Sequence, residues 1–277
     1  MSVAETLEMR LRELKLPSFV AHHHSLAGQA EEGSWGFRDY LLELCEIELR
    51  ERKDRKIERL RRSSHLPAEK TLATLEVARL PISVRRQLPV LCEGGFVERA
   101  ENLLSFGLPG RGKTHLICAI GHELIRQGYR VLFIPTYQLV QRILAAKRDL
   151  ALPAQLHQLD RCDLVILDDI GYVQQDREEM EVLFTFLAER YERRSVAITS
   201  NLVFSEWDRI FKNAMTTAAA IDRLVHHSTI LELTGKSYRS EAAQQRNELT
   251  RPPSEDPDPD EDARADPPRS LRSLATP

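Results

Sequence analysis

Two short stretches carry residue types whose spacing can do chemistry. "GLPGRGKT", residues 107–114, fits G-x-x-x-x-G-K-[ST] at every fixed position. It follows the apolar run "NLLSF" and opens a helix-like pattern, which is the strand–loop–helix context a phosphate-binding loop requires. Gly107, Gly110 and Gly112, with Pro109 and Arg111 between them, let successive amides turn toward phosphate oxygens at a helix N-terminus, and His115 lies just beyond. Lys113 is placed to neutralise the β- and γ-phosphates of ATP, and the Thr114 hydroxyl to ligate Mg²⁺. The second stretch is "LVILDDIGYV", residues 164–173, in which an apolar run ends in two adjacent carboxylates. Charge at the end of a buried strand is costly unless something compensates it. Beside a phosphate-binding loop the compensating group is the metal, so Asp168 is read as the second Mg²⁺ residue. Asp169 raises the separate question of whether it acts chemically.

These residues need a scaffold. Apolar runs at 102–107, 130–136, 163–168, 195–201 and 228–233 read as strands, and helical patterns at 113–127, 137–148 and 178–194 fall between them. Strands alternating with helices imply right-handed crossovers and a parallel sheet covered on both faces, hence an α/β core with five strands. Ahead of it, a helix is expected over 3–16, with Leu7, Leu11 and Leu14 on one face, stopped by Pro17. A break at Gly33 and Gly36 precedes a long helix over 37–62, and a shorter one is expected over 83–92. "HHH", residues 22–24, reads as a polar turn, because neighbouring side chains diverge and no second ligand cluster follows. From 251 the chain is rich in proline and acid and poor in apolar residues, a composition expected to stay disordered. The organisation is therefore a helical accessory domain at 1–75, a core at 76–250 and a tail at 251–277.

The 277 residues are 42% hydrophobic and 29% charged with net charge −3, enough for one core and a small accessory unit. Cys45, Cys92, Cys118 and Cys162 are scattered singly, which excludes a C-x-x-C zinc or disulfide framework. No secretory signal is recognised, and no apolar run approaches the roughly 20 residues of a membrane span, so a cytoplasmic protein without a membrane partner is expected. Charge is unevenly placed. The end of the long helix carries Arg52, Lys53, Arg55, Lys56 and Arg59, which offer contacts to DNA phosphates with little sequence preference. Glu51, Asp54 and Glu58 are interleaved, so a solvated face laced with i,i+4 pairs is the open alternative. Lys147 and Arg148 end the helix after the second strand and are a further DNA-contact candidate.

Taken together, these residues resemble the IstB family of insertion-sequence transposition helper ATPases, in the AAA+ group that includes the DnaC helicase loaders. "GRGKTHL", "LVILDDIG", "ITSN", "AAAIDRLVHH" and "GKSYR" occur in the family's order, after a helical unit ending "ELRERKDRKIERLRR". The resemblance implies an AAA+ P-loop core behind a small all-helical domain, with ATP and Mg²⁺ as cofactors. Asp169 then occupies the place of the carboxylate that activates water, one methylene shorter than the usual glutamate. Asn201 matches the sensor that positions this water, Arg223 the finger that reaches a neighbouring subunit's γ-phosphate, and Arg239 the second sensor arginine. Only a short helix, 240–249, is expected after Arg239, in place of a full helical lid.

The implied function is an ATP-dependent factor that assembles as a homo-oligomer on double-stranded DNA, recruits or stimulates a cognate transposase and hydrolyses ATP. A helicase loader shares this core. A nucleotide-gated DNA-binding switch with negligible turnover is a third reading, because Asp169 is short.

Overall fold

The computed structural model describes residues 2–172, 177–207, 214–234 and 237–238. Arg239, the helix expected over 240–249 and the tail at 251–277 lie outside the described residues.

Five strands form a parallel sheet: β1 (Asn102–Phe106), β2 (Val131–Pro135), β3 (Leu164–Asp168), β4 (Ser195–Ser200) and β5 (Ser228–Glu232). Their order is β2-β3-β4-β1-β5, so β1 pairs β4 and β5, and β3 pairs β2 and β4. The strands are five or six residues long and mostly buried, as a sheet covered on both faces demands. Alternate side chains feed two separate cores. Leu104, Val165, Leu167, Val196 and Ile198 face one side, where they meet Leu139, Phe186 and Trp207. Leu103, Leu164, Ile166, Ala197 and Leu231 face the other and meet Leu116, Ile120 and Leu124. Each such side chain contributes about 1.5–3 kcal/mol when fully buried.

Three crossover helices follow the expected order, and a fourth, between β4 and β5, was not expected. They are α6 (Lys113–Gln127), α7 (Thr136–Arg148), α9 (Arg177–Arg190) and α10 (Ala214–Val225). Gly128 ends α6 in the left-handed conformation, with its N–H returning to the Ile125 carbonyl. The short α8 (Leu152–Asp160), with Pro153 in its first turn, was not legible in the sequence because nine residues hold too few apolar repeats.

Ahead of the sheet stand α1 (Val3–Glu13), α2 (Pro17–Glu32), α3 (Phe37–Ser64), α4 (Ile82–Glu93) and α5 (Gly95–Glu98). The first helix ends at Glu13, short of the expected 3–16, with Lys15 left-handed, and Pro17 instead begins the next helix, where a missing N–H costs nothing. The reading of "HHH" as a turn is therefore corrected, since these residues lie inside α2. His22 Nε2 lies 3.0 Å from Glu51, and His23 Nδ1 lies 2.9 Å from the Phe19 carbonyl, so the run is spent on helix packing. Leu60 of α3 and Leu75, Leu80, Val84 and Leu88 join the second core, which seats the N-terminal helices on α6. Among the described residues no helix is long and apolar enough to cross a membrane.

Candidate nucleotide site

Parallel strands bring the ends of β1, β3 and β4 to one edge of the sheet, with Phe106 opposite Ser200 and Asp168 opposite Pro135. The loop 107–112 leaves β1 at this edge and feeds α6. Gly110 and Gly112 hold φ of 79° and 84°, left-handed values that only glycine adopts cheaply and that turn the amides inward. Lys113 is 9% exposed, and its Nζ donates to the carbonyls of Gly107 at 2.6 Å and Leu108 at 3.1 Å. The ammonium is thus held against the loop at the N-terminal end of α6.

Two hydroxyls converge on one carboxylate oxygen. Thr114 Oγ1 and Thr199 Oγ1 each donate to Asp168 Oδ1 at 2.7 Å. Thr136 Oγ1 donates to the Asp168 carbonyl at 3.0 Å. Thr199 also accepts from the backbone N–H of Asp169 at 2.8 Å. Asp169 has φ of 62°, a left-handed conformation that costs a non-glycine residue on the order of 1–3 kcal/mol, and the Thr199 bond helps to hold it there. Asn201 follows β4, and its Oδ1 is buried without a hydrogen-bond partner. A Cβ on Gly171 would come within 2.5 Å of that oxygen, so a larger residue in "DDIG" would displace the Asn201 side chain. Hard oxygen donors at Thr114 and Asp168 and an ammonium at a helix N-terminus suit Mg²⁺ and a polyphosphate.

Not every sequence candidate gathers here. Arg111 Nη1 reaches the Leu233 carbonyl at 3.3 Å, and His115 Nε2 turns away to Thr74 Oγ1 at 3.1 Å. Arg223 stacks on Phe184 of α9, 4.8 Å from the ring centroid, and its Nη1 is buried without a hydrogen bond. Its neighbour Leu224 is bonded through its carbonyl by Asn102, the first residue of β1, so Arg223 stands at the opposite edge of the sheet from its own loop. Half of the basic run on α3 is paired. Arg52 meets Glu48 at 2.6 Å, and Arg55 meets Glu51 at 3.0 Å, while Lys53, Lys56 and Arg59 form no ion pair among the described residues. Lys147 pairs with Glu181 at 3.3 Å, and Arg148 has no ion pair among the described residues.

Comparison with known proteins matches residues 9–246 to the family described as IstB-like ATP binding protein. The chain belongs to this IstB-like family. An insertion sequence ATP-binding protein of Sinorhizobium fredii is 42% identical over 86% of this chain and 80% of its own length. The IS21 ATP-binding protein of Pseudomonas aeruginosa is 37% identical over 88% of this chain and 92% of its own. Among solved structures, DnaI matches with a TM-score of 0.52 at 20% identity, covering 62% of this chain and 96% of that one. The DnaC helicase loader matches with 0.50 at 19%, covering 60% and 98%. These two establish the fold alone, the AAA+ core.

Three residues of this IstB-like site had no assigned role in the sequence. Tyr238 donates its N–H to the Gly110 carbonyl at 2.9 Å, and its ring lies 3.4 Å from where a Gly112 Cβ would stand. The Arg79 guanidinium stacks on that ring at 3.8 Å, so the pair braces the phosphate loop from outside. Tyr238 belongs to "GKSYR", a motif already noticed, whereas nothing local marks Arg79. Thr199 is in "ITSN", but a strand threonine discloses nothing until its neighbour is known.

Proposed function

We propose that this IstB-like chain is an ATP-dependent assembly factor for transposition: it binds ATP with Mg²⁺, oligomerises on duplex DNA, engages a cognate transposase and hydrolyses ATP. The observation that carries the reading is the convergence of Thr114 and Thr199 on Asp168 beside a loop whose lysine is held against its own carbonyls. Bound Mg²⁺ would supply charge neutralisation for the phosphates, held by Thr114 and Asp168. Lys113 exchanges two carbonyls for phosphate oxygens, a favourable change because hydrogen bonds between ions are the stronger kind. Asp169 takes the proton of the attacking water, and Asn201 orients that water through its unsatisfied amide oxygen.

The position of Arg223 supports the homo-oligomer. At the far edge of the sheet it is separated from its own loop by about the length of a five-residue strand, roughly 16 Å. Service to a γ-phosphate must then be given to a neighbouring copy, after release from Phe184. The transposition context is supported by relatives named for insertion sequences at 42% and 37% identity. The helicase-loader reading draws on fold likeness alone.

Phosphate release and particle size, measured together on ATP with duplex DNA, test the reading. Wild type is expected to form ATP-dependent multimers and to turn over. Lys113→Ala is expected to lose both, and Asp169→Asn to keep multimers while turnover falls about 100-fold, within the usual contribution of a general base. A wild-type monomer under these conditions would overturn the assembly function. Unchanged turnover in Asp169→Asn would remove Asp169 from catalysis.

A further inference from the structure

At the sheet edge opposite the nucleotide loop lies a cleft of about 550 Å³. Arg130, Asp163 and Arg194 stand immediately before β2, β3 and β4, which are neighbours in the sheet, so their positions line this edge. Lys56 enters from α3, and Arg161 and Arg193 from the turns after α8 and α9. Five cations therefore face two carboxylates, Asp160 and Asp163. Both carboxylates are already engaged. Asp160 is bonded by Arg193, and Asp163 by Arg194 at 3.1 Å and by the Arg130 backbone N–H at 2.9 Å. Lys56, Arg130 and Arg161 form no ion pair among the described residues, and all three are exposed. The glycine at 128 leaves room for Lys56, whose Nζ lies 3.1 Å from where a Cβ would stand.

We infer that this cleft binds the phosphodiester backbone of duplex DNA. The inference rests on the DNA-binding reading above and gives it a location. Exposed, mobile cations along an edge suit a polyanion, whose affinity comes from release of condensed counterions. A small phosphate is held differently, by buried amides and a helix N-terminus, as at the other edge of this molecule. The edge has suitable dimensions: β2 and β4 are two strand spacings apart, about 10 Å, which measured along the duplex axis spans about three charges of one DNA strand. Arginine dominates the lining, and its planar fork matches phosphate oxygens. Contacts to the phosphodiester backbone orient the duplex without selecting sequence. The cleft also gives the basic run of α3 a different meaning: Lys56 contributes because it lies on the cleft, while Arg52 and Arg55 are occupied by glutamates.

The test uses the full chain with ATP and a fluorescein-labelled duplex of arbitrary sequence, with anisotropy followed through a salt series. The double variant Arg130→Glu/Arg161→Glu is expected to bind at least about tenfold more weakly, with a log–log salt slope shallower by about 2, equally for a second duplex sequence. Affinity for a fluorescent ATP analogue is expected to be unchanged. The milder Arg130→Gln/Arg161→Gln, which adds no charge repulsion, is expected to lower the slope in the same direction. Wild-type duplex affinity in both variants would overturn the cleft and leave the proposed function standing. No duplex binding by wild type would overturn both. A labelled peptide of residues 252–265 that binds wild type but not the variants, with duplex affinity unchanged, would give the cleft to the acidic tail and overturn the DNA assignment.

Discussion

The two edges of the sheet handle charge in opposite ways. At the edge where β1, β3 and β4 end, the groups suited to phosphate and metal are few, partly or wholly buried and tightly bonded: one lysine, three threonine hydroxyls and Asp168. At the edge where β2, β3 and β4 begin, the cations are many and exposed, with one exception. Arg190 is 2% exposed, and its guanidinium donates to the carbonyls of Leu159 at 3.0 Å, Cys162 at 3.0 Å and Ser195 at 2.8 Å. Burial pulls its pKa down to about 10, so it stays charged at neutral pH. One edge is built for a fixed geometry around a small ligand. The other holds a rigid floor under a set of solvated charges, which is the economical arrangement for a long polyanion.

The largest effect should come from that floor. Arg190→Met fills part of the volume but removes the guanidinium's bonds to three carbonyls. Leu159's keeps a second donor, the Cys162 N–H, and the other two losses cost about 1–3 kcal/mol each. A loss of at least about 2 kcal/mol is expected in urea unfolding, a figure at the low end of that sum. Duplex affinity should fall with the loosened cleft, while ATP-analogue affinity at the far edge stays within about threefold, the additivity expected of separated sites. An equal loss of ATP affinity would show that the two edges are one mechanical unit and break the comparison.

A smaller effect is expected at the nucleotide edge from Thr199→Val. The substitution removes the donor to Asp168 and leaves the Asp169 N–H without its partner, a cost of about 1–2 kcal/mol in stability. If Thr199 positions the metal acid, the Mg²⁺ concentration for half-maximal turnover should rise about tenfold, the equivalent of one such hydrogen bond. ATP-analogue affinity measured without Mg²⁺ should not move, and Thr199→Ser should restore the wild-type Mg²⁺ dependence. A change in stability with an unaltered Mg²⁺ profile would leave Thr199 as packing only.

The difference between the edges also explains what could be read from the chain. The nucleotide loop is a contiguous motif whose glycines and lysine have fixed offsets, so its position and its strand–loop–helix setting were legible in "GLPGRGKT". The five strands and their alternation with helices were legible for the same local reason. Residues that act by meeting across the sheet were not. Thr199 and Asp168 are 31 residues apart, and Arg79 meets Tyr238 only through the fold. The helix over Pro17–Glu32 escaped because its small and histidine-rich composition carries little apolar periodicity. The cleft is the extreme case, with Lys56, Arg130, Arg161 and Arg194 drawn from four separate segments. The charge-dense stretch that sequence does display, on α3, is half neutralised within its own helix.

The smallest predicted effect isolates this last contrast. Lys53 and Lys56 lie three residues apart on α3, both exposed and neither in an ion pair among the described residues, but only Lys56 lines the cleft. A linear basic run would weigh them equally, since both carry one charge to the same helix face. A cleft would not. Lys56→Ala is expected to reduce the salt slope of duplex binding by about 1, the signature of one lost phosphate contact, and Lys53→Ala to leave it unchanged. Because both substitutions remove one positive charge from the same exposed helix, any general effect of net charge cancels between them. Equal losses in the two variants would return DNA contact to the helix as a whole. The asymmetry, if found, places it where the sheet gathers cations from distant parts of the chain.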